Sequence, residues 1–133
     1  MGRKQNESAF TRWFCREIQR VNGVTLAIVA SAMQRSGLPD RYVCHKKFRG
    51  WLEFKKDDGR LSTAQRITLN KLEANGDTCL VVRYRYNDML EIETVNGRTL
   101  LVANLVPLYT KSTPGTQLLE FLQQALVAKP SYN

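Results

Sequence analysis

A chain of 133 residues with 43% hydrophobic and 24% charged residues has the make-up of an ordinary globular protein, long enough for one domain that buries about two thirds of its unfolded surface. No apolar run approaches the roughly 20 residues that cross a bilayer, and the basic start Met1-Gly2-Arg3-Lys4-Gln5-Asn6 lacks the apolar stretch of a signal peptide, so the chain is expected in the cytoplasm and away from membranes. A net charge of +8 and a pI near 9.7 point to a polyanionic partner, nucleic acid first.

Residues 8 to 21 place Phe10, Trp13, Phe14, Ile18 and Val21 on one face of a 3.6-period helix, with Asn6 or Ser8 available as its cap. Glu17 falls on that apolar face. A carboxylate held out of water needs a cation or a proton, which makes Glu17 a candidate metal ligand; pairing with Arg16 or Arg20 at the rim is the alternative. Asn22-Gly23 ends the helix, and Val24 to Ala30 reads as a strand, although Ala30 to Gln34 can equally begin a short helix. Ser36-Gly37 turns the chain into Leu38-Pro39-Asp40, where the proline favours an extended start and leaves Asp40 at the mouth of a strand through Tyr42-Val43-Cys44.

Lys46 to Gly50 reads as a basic hairpin connection into a strand from Trp51 to Lys56, with Leu52 and Phe54 on one face and Trp51, Glu53 and Lys55 on the other. After the turn at Asp57-Asp58-Gly59-Arg60, a helix begins at Ser62-Thr63-Ala64-Gln65 and stops at Asn75-Gly76, with Gln65, Leu69 and Leu72 on one stripe. Cys79 to Tyr86 alternates as a strand whose second half is basic on one side. Met89 to Val95 and Arg98 to Leu105 flank Asn96-Gly97, the signature of a two-residue type I′ hairpin, here expected as an accessory element. Thr113-Pro114 starts a last helix with a wide apolar side, Leu118, Leu119, Phe121, Leu122, Ala125 and Leu126, that covers the sheet or meets another chain; Lys129 to Asn133 should fray. Cys15, Cys44 and Cys79 are too far apart and too apolar in setting for a zinc site or a disulfide framework.

The chemistry collects between Gly37 and Lys55. Glu53 and Lys55 leave the same face of their strand. If the Asp40 strand pairs beside it, two carboxylates and an ammonium converge at one end of the sheet, an arrangement suited to a divalent cation and a phosphate together. His45, the only histidine, has no partner at ligand spacing and reads as a surface or phosphate-contacting side chain.

Helix with Glu17, strand opening Pro39-Asp40, strand with Glu53-Phe54-Lys55, helix with Gln65, strand with Arg83: this order resembles the PD-(D/E)XK nuclease superfamily. Within it, Gly37-Leu38-Pro39-Asp40, Glu53-Phe54-Lys55, Leu61-Ser62-Thr63-Ala64-Gln65 and Gly76 resemble the G-x-P-D, E-x-K, L-S-x-x-Q, G progression of the VRR-NUC branch. Its members are small phage and bacterial nuclease domains related to Holliday-junction resolvases. The resemblance covers roughly residues 7 to 86. It implies an α/β, restriction-endonuclease-like fold, a mixed sheet flanked by helices with an α-β-β-β-α-β core, here followed by a β-hairpin and helix within a single domain over residues 1–133.

The resemblance further implies a metal-dependent endonuclease that hydrolyses DNA phosphodiesters, leaving 5′-phosphate and 3′-hydroxyl ends; branched or nicked DNA is one candidate substrate, and the catalytic set does not choose among flaps, junctions, nicks and plain duplex. Asp40 and Glu53 would hold Mg2+ or Mn2+ with the Phe54 backbone carbonyl and Glu17. Lys55 would assist attack, and Gln65 would stand near the lysine, although Ser62-x-x-Gln65 is also a capping box. Lys46, Lys47, Arg49, Lys56, Arg60, Arg66, Arg83 and Arg85 are candidate nucleic-acid contacts. A homodimer would set two sites on one junction, whereas a monomer suits nicking. The rival reading is a non-catalytic nucleic-acid-binding module of the same fold.

Overall fold

The computed structural model describes residues 7–28 and 39–130. The Asn6 cap, the Ser8 side chain, the residues 30–34 alternative, the Ser36-Gly37 turn and the last three residues lie outside what is described, and the backbone of Ser8 already belongs to the first helix. Among the described residues the order is α1 (Glu7–Arg20), β1 (Val24–Ala27), β2 (Arg41–His45), β3 (Phe48–Lys56), α2 (Thr63–Ala74), β4 (Cys79–Arg85), β5 (Met89–Glu93), β6 (Thr99–Asn104), a 3-10 turn at Val106–Leu108, and α3 (Pro114–Ala128). This contains the expected α-β-β-β-α-β core, and the fold class is α/β.

All six strands form one mixed sheet in the order β1-β2-β3-β4-β5-β6. Neighbours are antiparallel except β3 and β4, which are parallel. That one parallel pair requires a crossover, and α2 supplies it. The hairpin after residue 87 is therefore no appendage: β5 pairs directly with β4 and extends the sheet.

Alternation along the strands divides the sheet into two faces. Leu52, Phe54, Leu80, Val82, Tyr84, Leu90 and Ile92 point to one side and join Phe10, Phe14 and Ile18 of α1 and Leu118, Leu119, Leu122 and Ala125 of α3 in a continuous core. The ring of Phe10 stacks on Tyr84 at 4.7 Å, and Phe14 meets Phe54 edge-on at 5.3 Å. On the other face a smaller cluster of Leu69, Cys79 and Val95, flanked by Trp51, Leu61 and Leu72, seats α2. The result is three layers. Helices α1 and α3 approach so closely that a Cβ on Gly115 would lie 2.1 Å from the Glu17 carbonyl oxygen, so only glycine fits there.

Three local expectations are corrected. The β2–β3 connection is only Lys46-Lys47, because Phe48, Arg49 and Gly50 already pair with β2. The Asn96-Gly97 hairpin is not type I′, which needs positive φ at both residues. Only Gly97 has it (φ 92°), and the bonds Gly97 N–H to Thr94 O (3.0 Å) and Thr94 N–H to Arg98 O (2.9 Å) define a three-residue loop with a glycine bulge. Lys129 does not fray: its ammonium pairs with Glu73 of α2. The Thr113 side chain makes no capping bond, and Pro114 begins α3 by its preset φ instead. The three cysteines are free thiols. No described helix is long and apolar enough to cross a membrane.

Candidate active site

Strands β2 and β3 pair from His45 with Phe48 to Arg41 with Leu52, and β3 runs on for four residues beyond β2's first residue. Asp40 stands at that step. Its N–H donates to Glu53 Oε1 (3.2 Å), and its carboxylate Oδ2 accepts from the Phe54 N–H (2.9 Å). Its carbonyl accepts from the Ile28 N–H (3.1 Å) and from Arg41 Nη1 (3.0 Å). Every backbone polar group of Asp40 is thus fixed, so its carboxylate is held by geometry rather than by chance rotamer choice. The Phe54 N–H and C=O leave the same side of an extended strand, so the carbonyl also faces the mouth where Asp40 stands.

Glu53 is buried, 1% exposed, because α2 lies over its face of the sheet. Gln65 Nε2 donates to Glu53 Oε2 (2.9 Å), and Lys55 Nζ lies 3.6 Å from the same oxygen. Burial first, then the Asp40 charge, push the Glu53 carboxyl up to about 8, with the Lys55 ammonium opposing. Two acids at one strand mouth with a single ammonium beside them are short of positive charge. That deficit and the all-oxygen donor set, two carboxylates and a carbonyl, suit a hard divalent cation that retains several waters. No group of three or more His, Cys, Asp or Glu side chains placed to hold a metal ion occurs among the described residues.

Gln65 resolves the competition between its two readings by doing both. Ser62 Oγ accepts from the Gln65 N–H (3.0 Å), and Gln65 Oε1 accepts from the Ser62 N–H (2.9 Å), a complete capping box. The amide nitrogen is left over and reaches Glu53. The cap therefore fixes the orientation of the group that orients Glu53.

Glu17 is not brought to this site. Cys15 is the α1 residue beside Arg41 and Asp40, whose charges act on its thiol, and two residues along a helix is about 200° around it. Glu17 accordingly faces away, its Oε2 at 3.8 Å from Arg16 and 3.6 Å from Arg20. Its backbone lies against Gly115 of α3. The apolar stripe that hides Glu17 is the α3 contact, not the metal-ligand position.

The basic residues divide as well. Arg83 is taken up internally, by Glu93 (2.7 and 3.2 Å) and by the carbonyls of Asp57 (2.6 Å) and Gly59 (2.7 Å). Arg85 is held by Glu91 (3.2 Å) and Asp58 (2.7 Å). Neither is a free phosphate contact. Lys46 and Lys47 sit at the other end of the β2–β3 hairpin, about 20 Å from Asp40 at the usual rise per residue, and exposed Arg49 lies on the same end of β3. Lys56, half-buried, and exposed Arg60 and Arg66 remain near the site. His45 ties the hairpin to the turn after α1: its Nδ1 accepts from Lys47 N–H, so Nε2 donates to the Val21 carbonyl (3.0 Å).

Sequence reasoning passed over Arg41, whose guanidinium clamps the Asp40 carbonyl. Its position next to Asp40 was the available signal, but a neighbour's charge says nothing about backbone contact.

Comparison with known proteins gives no matching family model and no matching curated relative. Among solved structures, the fold is similar to Hjc, a Holliday junction resolvase from the archaeal hyperthermophile Archaeoglobus fulgidus, with a TM-score of 0.52 and 15% identity over 66% of this chain and 75% of that one. At that identity the likeness is one of fold.

Proposed function

We propose that this protein is a divalent-metal-dependent endonuclease of the VRR-NUC type that hydrolyses DNA phosphodiester bonds, with branched or nicked DNA as the favoured substrate. The observation that carries this reading is the convergence at one strand mouth of Asp40, fixed by the Phe54 N–H, with Glu53, itself held by Gln65 and flanked by Lys55. The resolvase-like fold supports it.

Asp40, Glu53 and the Phe54 carbonyl would hold magnesium or manganese, which supplies charge neutralisation at the phosphate and acidifies water for attack. Lys55 would present a point charge where negative charge develops on the phosphate, and its ammonium already stands 3.6 Å from Glu53 Oε2. Gln65 keeps Glu53 Oε2 in one orientation. Asp40 needs no further support, since its backbone anchors it.

The test is cleavage of labelled junction, flap, nicked and plain duplex DNA with magnesium or manganese. Cutting by the parent, lost in Asp40→Ala and in Lys55→Ala, is expected. Equal activity in either variant would sink the assignment, and salt-dependent binding without turnover on every substrate would make the protein a binding module instead.

A further inference from the structure

We infer that the cleft between α2 and the β4–β5 strands is a second phosphate subsite, taking the backbone of the nucleic-acid strand through Arg60 and Arg66 beside the carboxylate pair. This rests on the nuclease reading and extends it to how the strand is held.

The cleft has a volume of about 250 Å³ and is bordered by Arg60, Arg66, Arg83, Glu93, Asn96 and Gly97. It lies on the same face of the sheet as Glu53 and Lys55. Register shows this: Glu53 lies beside Val81 of β4, and Val81 beside Glu93 of β5. Two strand spacings, about 10 Å, therefore separate the catalytic carboxylate from the cleft floor. That is the scale of one or two nucleotide steps along a backbone, so one strand can touch both.

Charge on the cleft floor is already settled. Glu93 would repel a phosphate, but Arg83 neutralises it through two bonds in a nearly buried pair. Asp58, the other acid nearby, is held by Arg85 at 2.7 Å. What remains outside these close pairs are Arg60, in the β3–α2 loop, whose charge reaches Asp58 only at longer range, and Arg66, in the first turn of α2. Both are exposed, and neither side chain makes a hydrogen bond or ion pair among the described residues. Arg66 follows Gln65 in the first turn of α2, and its side chain borders the cleft. Arginine's planar fork suits phosphate oxygens.

The experiment measures affinity for a short labelled DNA duplex, a single strand and the matching RNA in EDTA, across a range of salt, so that binding is read without turnover. Each phosphate contact on duplex contributes about 0.9 to the slope of log K against log salt. Arg60→Ala/Arg66→Ala should therefore be shallower than the parent by about 1.8, with an unchanged thermal melt, while Arg60→Lys/Arg66→Lys keeps the slope. Lys46→Ala/Lys47→Ala, at the far end of the hairpin, should also keep it. An unchanged slope in the arginine-to-alanine pair, or an equal drop in the lysine pair, overturns the subsite. If the parent still binds and cuts DNA in that case, the nuclease reading survives alone; a parent with no salt-dependent binding to any of these probes removes both.

Discussion

In the metal-free protein Glu53 keeps its proton up to about pH 8, whereas its ordinary value is 4.5. The folded state therefore binds more protons than the unfolded chain between those values, and stability falls as pH rises through that window. Glu53→Gln should remove this loss: thermal melts in EDTA at pH 5.5 and 8.5 should differ by a few kcal/mol less in the variant than in the parent, while cleavage disappears. A cation binding the carboxylate pair has to expel that proton, so calorimetric titration of manganese near pH 7 in buffers of different ionisation enthalpy should show release approaching one proton per metal. Glu17 gives the opposite expectation. One of its buried oxygens has no partner, and its exposed arginine neighbours contribute little. Glu17→Gln should leave cleavage unchanged and shift stability by no more than about 1 kcal/mol. Periodicity correctly placed Glu17 out of water, but a single helix has no way of declaring which neighbour covers it; α3, about a hundred residues later, does.

Helix α2 couples stability to chemistry, because its N-terminal cap and its Glu53 contact share Gln65. Ser62→Ala should cost about 1 kcal/mol in a chemical melt and lower kcat modestly, whereas Gln65→Ala, which loses both bonds, should reduce kcat further for a similar stability cost. Equal kcat in the two variants would mean that the amide contact to Glu53 does nothing. The capping box was legible in the sequence because it is local, four residues end to end. The basic face of β4 was legible too, but its fate was not: Glu91 and Glu93 become partners of Arg85 and Arg83 only once β5 pairs with β4. Alternation shows which side a residue faces and never what lies across from it. The hairpin loop failed for a subtler reason, since Asn-Gly satisfies both a type I′ turn and a glycine-bulged three-residue loop, and the strand register decides between them.

At the scale of the molecule, the segment beyond residue 87 closes the structure instead of hanging from it. Strands β5 and β6 widen the sheet, α3 covers the face opposite α2, and Lys129 reaches back to Glu73 on α2. Lys129→Met leaves half-buried Glu73 without its cation and should destabilise the protein by about 1 kcal/mol, visible as a lowered melting temperature. The apolar side of α3 announced burial but was equally consistent with a partner chain; the tight seat of Gly115 on α1 answers it here. By contrast the order of elements from α1 to β4 followed from patterning, because a strand mouth at Pro39-Asp40, alternation around Glu53 and a capped crossover helix each have local signals that agree. The arrangement as a whole stands or falls on the carboxylate pair. Its most direct test is the rate of junction cleavage in manganese by the parent and by Asp40→Asn purified side by side: the parent should cut, the variant should fall to the level of a no-protein control, and a variant that cuts as fast as the parent would remove Asp40 from the chemistry.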